Sequence, residues 1–248
     1  MIFKKKKMKK VVLLLLMASS FMVSAQEVLL KINYKKGDSY LMKMEMKQSL
    51  GLMGGMNRKA EMQSDILTVT DEEITSETRI KRIVMDMLQG SQSFKYDSET
   101  KEEDLDMVGK QMKQQFQPML EAVITQTISR YGKLIEAKVE PQVPGMDSFG
   151  QQSEYPKEPV KVGSTWTSEV KDDASGTITM NYKVDKITET TVFASITGTA
   201  SALSGSTIDG SLEVDIVTGN PNKVVVRINA DTEGTKISVE TSMTSTKI

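Results

Sequence analysis

The run Lys161-Val162-Gly163-Ser164-Thr165-Trp166 and the earlier run Lys35-Lys36-Gly37-Asp38-Ser39-Tyr40 share one pattern. Each places a basic residue, a glycine, two small polar residues and a large aromatic in that order, and each opens a strand-like segment. A glycine beside small polar residues is turn chemistry, and an aromatic at a strand start is suited to burial as an anchor. The pair predicts the beginnings of two related halves. The second run is preceded by Tyr155-Pro156-Lys157-Glu158-Pro159-Val160, and Trp166 is the one tryptophan of the chain.

Working outward, Val28 to Tyr34 predicts a short strand with Leu30 and Ile32 on one side. In Tyr40 to Gln48, Tyr40, Met42, Met44 and Met46 alternate with Leu41, Lys43, Glu45 and Lys47. That period of two puts the methionines on one face of a strand and the charges on the other. Gly51 to Gly55 interrupts it, and the chain returns from about Arg58 to Thr70. Ile74 to Leu88 alternates too, but its phase changes between Ile80 and Ile83, which predicts a β-bulge. Phe94 to Asp97 is a short strand.

A helix is predicted over about 100–117. Thr100 and Glu103 fit a capping box, acids fill the first turn, and Leu105, Val108, Met112, Phe116 and Met119 recur at helical spacing. Pro118 is expected to end or kink it. Ala122 to Arg130 and Lys133 to Val139 form a hairpin about Tyr131-Gly132. Residues 141–159, with four prolines, make the natural linker. Beyond Trp166 the texture is Thr/Ser-rich strand, with a turn at Gly219-Asn220-Pro221-Asn222. The fold class expected is mainly β (α+β): a large curved antiparallel sheet or half-barrel built from two strand-rich halves, 26–140 and 160–248, with one amphipathic helix across its open face.

Composition limits the chemistry. The 248 residues contain no Cys and no His. This removes thiol nucleophiles and the commonest general base and metal ligand. Lys4 to Lys10, the apolar run Val11 to Met17 and the small residues of Val23-Ser24-Ala25 predict a secretory signal peptide over residues 1–25. The apolar run is too short for a span of about 20 residues. With no Cys after it, the chain is expected to be exported to the periplasm or beyond, and not as a Cys-anchored lipoprotein. The leader holds six lysines, so of the 32 basic residues 26 remain against 33 acidic ones, a net charge of −7. An acidic exported chain is a poor match for nucleic acid, whose phosphates demand basic patches.

The signal peptide, the Gly-Asp-Ser-Tyr strand start, Phe94-Lys95-Tyr96-Asp97-Ser98, the helix, Ser129-Arg130-Tyr131-Gly132-Lys133, and Tyr155-Pro156 through Val162-Gly163-Ser164-Thr165-Trp166 occur in an order that resembles a family of exported bacterial proteins, the domain of unknown function numbered 6263. The resemblance implies export and this strand–helix–strand order, and brings no catalytic residues with it.

Three functions are weighed. The first is a non-enzymatic envelope protein that binds a lipid or other apolar small molecule in a concavity lined by Met42, Met44, Met46, Met62, Tyr40 and Trp166, with Met53 and Met56 nearby. Unbranched methionine suits surfaces that accept varied ligands. The second is a structural or protein-interaction module with a filled core. The third is Cu(I) held by thioethers. No cofactor is expected: there is no Gly-rich phosphate loop and no Gly-x-Ser-x-Gly elbow. The acid pairs Glu102-Glu103 and Asp172-Asp173 diverge in space and make no catalytic dyad.

Overall fold

The computed structural model describes residues 26–51, 54–144, 146, 154–172, 176–203, 205–232 and 235–248, with backbone alone at 171, 172 and 232. The expected leader at 1–25, Met53 and Asp173 lie outside the described residues. Twelve strands form one antiparallel sheet: β1 (Ser39–Ser49), β2 (Gly54–Val69), β3 (Glu73–Gln89), β4 (Gln92–Asp97), β5 (Val123–Ser129), β6 (Leu134–Glu140), β7 (Thr165–Asp172), β8 (Gly176–Ile187), β9 (Thr191–Ala200), β10 (Thr207–Asp215), β11 (Pro221–Thr232) and β12 (Thr235–Lys247). Across the sheet they run β6-β5-β3-β2-β1-β12-β11-β10-β9-β8-β7, with β4 on the edge of β3. One α-helix, α1 (Met107–Glu121), is present among the described residues. It is neither long nor apolar enough to cross a membrane.

One face of the sheet is apolar and the other charged, as in antiparallel sheets that meet water on one side. On β1 the outward residues Lys43 and Glu45 pair with Glu61 and Lys59 of β2. The inward face carries two clusters of buried side chains. The first gathers Tyr40, Ile74 and Ile128 with Tyr182, Val184, Ile196 and Val214, so strands from both ends of the sheet order share it. The second, around Met62, Ile83, Met85, Tyr96 and Phe116, lies under α1.

The phase change in the third strand is a bulge. Glu61 faces Arg82 and Met62 faces Ile80, which leaves Lys81 unpaired. This turns Ile83 and Met85 inward with Ile80.

Three local expectations are corrected. Val28 to Tyr34 is extended with alternate residues buried, but it joins no strand. Its backbone bonds instead go to Val160, to Arg130 beyond β5 and to Thr218 beyond β10. The helix starts later than Thr100: Glu102–Asp104 is a 3-10 turn, and the Asp106 side chain caps α1 by accepting from the Gly109 amide at 2.7 Å. Pro118 does not end α1. It lies in the last turn, where few intrahelical bonds remain to be lost, and the helix continues to Glu121.

The turns before β1 and β7 are built alike. Gly37 and Gly163 both adopt left-handed backbone (φ 86° and 88°), which glycine takes without steric cost. The Lys35 amide donates to Asp38 Oδ2 at 2.9 Å, and the Lys161 amide donates to Ser164 Oγ at 3.0 Å. Gly37 then donates to Ile66 O and Gly163 to Val184 O. Similar local features recur further on. Thr70 and Thr188 close the β2–β3 and β8–β9 turns with matching side-chain bonds. Register shifts fall after Ile66 and after Val184, and again at Thr127/Ile128 and at Glu213/Val214.

The segment between β6 and β7 joins the two outer strands of the sheet. In its described parts Val143, Met146, Tyr155 and Val160 are buried. The Tyr155 amide donates to Tyr131 O and its hydroxyl to Gly219 O.

Candidate functional site

A cavity of about 540 Å3 separates the inner face of β1, β2, β3, β5 and β12 from the underside of α1. Small-molecule sites fall between about 300 and 1,000 Å3. Alternation along β1 sends Tyr40, Met42, Met44 and Met46 into it, and pairing places like neighbours beside them. Met42 faces Met62 of β2 and Ser245 of β12, while Met44 faces Ala60 and Met243. Phe116 and Met119 of α1 close the space from above, and Met146 adds a seventh methionine. Thioether side chains have no β-branch and adapt to the shape of what they touch.

The remaining surface is more polar. On the β2–β3–β5 side the buried Thr78 hydroxyl donates to Ser64 Oγ at 3.0 Å, with Gln126 and Ser76 nearby. At one end the Tyr34 and Tyr40 rings lie 4.5 Å apart. Tyr34 donates to Asn220 Oδ1 at 2.8 Å, and Ser245 Oγ donates to the same oxygen at 3.1 Å. Burial, with the Asp38 and Asp215 carboxylates adding to it, pushes the Tyr40 hydroxyl up to about 12, so it stays protonated at neutral pH. That hydroxyl is buried without a hydrogen-bond partner. Burial likewise holds Tyr34 well above the ordinary tyrosine value.

At the other end stands Arg58 of β2, opposite Met46 of β1 and Met85 of β3. Its guanidinium lies over the Phe116 ring, 5.9 Å from the centroid. It is the one charged side chain among the described lining residues.

Of the residues singled out in the sequence, Tyr40, Met42, Met44, Met46 and Met62 come together on this cavity. Trp166 does not. It stands on β7, an outer strand with β8 as its one sheet neighbour, and stacks on Tyr182 at 4.8 Å. There it is half-buried, whereas Tyr40, flanked by β2 and β12, is 3% exposed. Met56 is half-buried and packs against the cluster under α1. Arg58 was missed. Its signal was available: it keeps phase with Ala60, Met62 and Ile66, so a charge stood on a face otherwise written for the interior. The acids at the helix start are solvent-facing, and Glu102 accepts from Lys113 at 2.8 Å. Among the described residues no group of three His, Cys, Asp or Glu side chains could hold a metal ion.

The sequence model of a family described as "Family of unknown function (DUF6263)" matches residues 147–246, the stretch that contains β7 to β11 and nearly all of β12. No curated protein matches the chain in sequence. Among solved structures, one described as "Lipid-protein interactions in lipovitellin" superposes with a TM-score of 0.54 at 13% identity. The alignment covers 87% of this chain and 25% of that one, so this chain spans about a quarter of that protein's length. At that identity the likeness is one of fold.

Proposed function

We propose that this chain is an exported, non-enzymatic protein of the cell envelope that holds an apolar ligand in the methionine-walled cavity between its sheet and α1. One observation carries the reading. Seven methionines and two tyrosines surround a space of about 540 Å3 that the protein's own side chains leave unfilled. A module built only for structure or for protein contact gains nothing from such a space, because unfilled apolar volume costs stability. The fold shared with a protein described through its lipid interactions agrees with the reading.

The sheet is read as a curved half-barrel around this space. Its support is the first buried cluster, in which Ile74 and Ile128 of one flank pack with Tyr182 and Ile196 of the other. β1, β2, β3, β5 and β6 are read as corresponding in order to β7, β8, β9, β10 and β11, two related halves, supported by the similar turns and register shifts. A non-enzymatic role is supported by the absence of His and Cys and by a cavity whose one charged lining side chain among the described residues is an arginine, where acid–base work calls for a titratable partner. Export rests on the leader pattern.

Native mass spectrometry of the protein purified from its own host tests the reading. The expected spectrum shows a chain beginning at Gln26 with a co-purifying apolar molecule that organic extraction removes. Bound copper would instead favour thioether ligation. A ligand-free chain that also fails to bind an apolar fluorescent probe would overturn the proposal.

A further inference from the structure

The five arginines of the chain divide sharply by partner. Arg79 meets Glu77, Arg82 meets Asp97 and Glu99, and Arg227 meets Asp209 and Glu240. Arg130 donates to Thr70 O and to Asn33 Oδ1. Arg58 has no carboxylate within ion-pair distance among the described residues. Its contacts are the Phe116 ring and a long approach of 3.9 Å to Met56 Sδ, and its Nε is buried without an acceptor. A guanidinium is always charged and presents a planar fork of donors that fits carboxylate and phosphate oxygens. Leaving it unpaired beside an apolar space costs free energy unless an anion completes it.

Its position gives that anion a shape. Arg58 lies opposite Met46 at one end of the methionine row, and Tyr40 lies at the other. Six residue steps along β1 separate them, about 20 Å at strand rise. The cavity therefore has one cationic end and a long apolar wall.

We propose that Arg58 is the anchor of the cavity and that the ligand is an anionic amphiphile, its carboxylate or phosphate head on the Arg58 guanidinium and its hydrocarbon tail along Met46, Met44 and Met42 toward Tyr40. This inference rests on the ligand-binding reading above and narrows it to a charge class. Phe116, packed against Tyr96 at 5.6 Å and seated under the guanidinium, holds the head group's partner in place.

The test is displacement of an apolar fluorescent probe from the delipidated chain by oleate, by a single-chain oleoyl phosphate, and by oleyl alcohol of the same tail. The expected result is at least about tenfold tighter binding of one or both anions than of the alcohol, equal to about 1.4 kcal/mol. Whichever anion binds tighter identifies the head group. R58M brings the affinity for the anions down to that for the alcohol measured on the same variant, while R58K retains part of the preference. The wild-type comparison needs no variant, so a poorly folding R58M does not remove the test. Equal binding of anions and alcohol to the wild type overturns the anchor and leaves the cavity reading standing. Failure of the probe and of all three amphiphiles to bind overturns both.

Discussion

Replacing Phe116 by alanine tests whether α1 is a true roof of the cavity. Phe116 is 3% exposed. Its ring stacks on Tyr96 of β4 at 5.6 Å and lies beneath the Arg58 guanidinium at 5.9 Å. Truncating a fully enclosed phenylalanine costs about 3–5 kcal/mol. Here one side of the ring faces space that is already open, so fewer contacts are lost and the lower end, about 3 kcal/mol, is expected. For a chain of this size each kcal/mol moves Tm by about 2–4 °C, which gives a drop of about 6–12 °C. Thermal unfolding followed by circular dichroism reads the loss. Hydrogen exchange reads its location, with the α1 amides expected to exchange faster than those of β8 to β10. A Tm within about 2 °C of the parent, with α1 protection unchanged, would refute the roof.

Two further outcomes follow from the polar framework. Gly219 has φ 66°, and a Cβ there would stand 2.1 Å from the Lys31 carbonyl oxygen, whereas Gly90, at φ 59°, has open space about it. Gly219→Ala is therefore expected to lower Tm clearly more than Gly90→Ala, and equal losses would show that the 28–34 segment is not clamped against the β10–β11 turn. Burial pushes the Asp38 carboxyl up, but the Lys247 ammonium bond at 2.6 Å, the Lys35 amide and both lysine charges outweigh it and hold the carboxyl below its usual value. Such a group stabilises the fold above its unfolded pKa of about 4, and the contribution is lost as pH falls through the lower folded value. In an acid titration of stability, Asp38→Asn should flatten the decline below about pH 4, and a curve parallel to the parent would contradict the assignment.

Much of this architecture was legible because strand alternation is a local signal. The methionine row of β1, the bulge at Lys81 and the strands of the second half all follow from period two and turn residues. What was not legible depends on partners. Val28 to Tyr34 alternates as a strand does, but nothing in alternation says that its backbone bonds will go to three separate segments. Thr100 and Glu103 satisfy a capping pattern, yet Asp106, six residues on, has the geometry that caps the helix. Tyr40 and Trp166 each follow a turn of the same build, but sheet order buries one and leaves the other half-exposed on an outer strand. Arg58 was overlooked for the opposite reason. Its phase with Ala60 and Met62 puts it on the inward face, a local signal that the sequence did carry.

The place of β12 bears on how the molecule comes into being. β1 pairs with β2 on one side and with β12 on the other. In order of synthesis β1 precedes every other strand, and β12 follows them all. Through nearly the whole of translation, therefore, the methionine strand has one bare edge. Unpaired strand edges recruit other chains, so the nascent protein is at greatest risk of misassociation until residues 235–247 arrive. Their arrival also delivers Thr241, Met243 and Ser245, a wall of the cavity. A chain shortened by this one hairpin arm should lack that wall and be prone to aggregate.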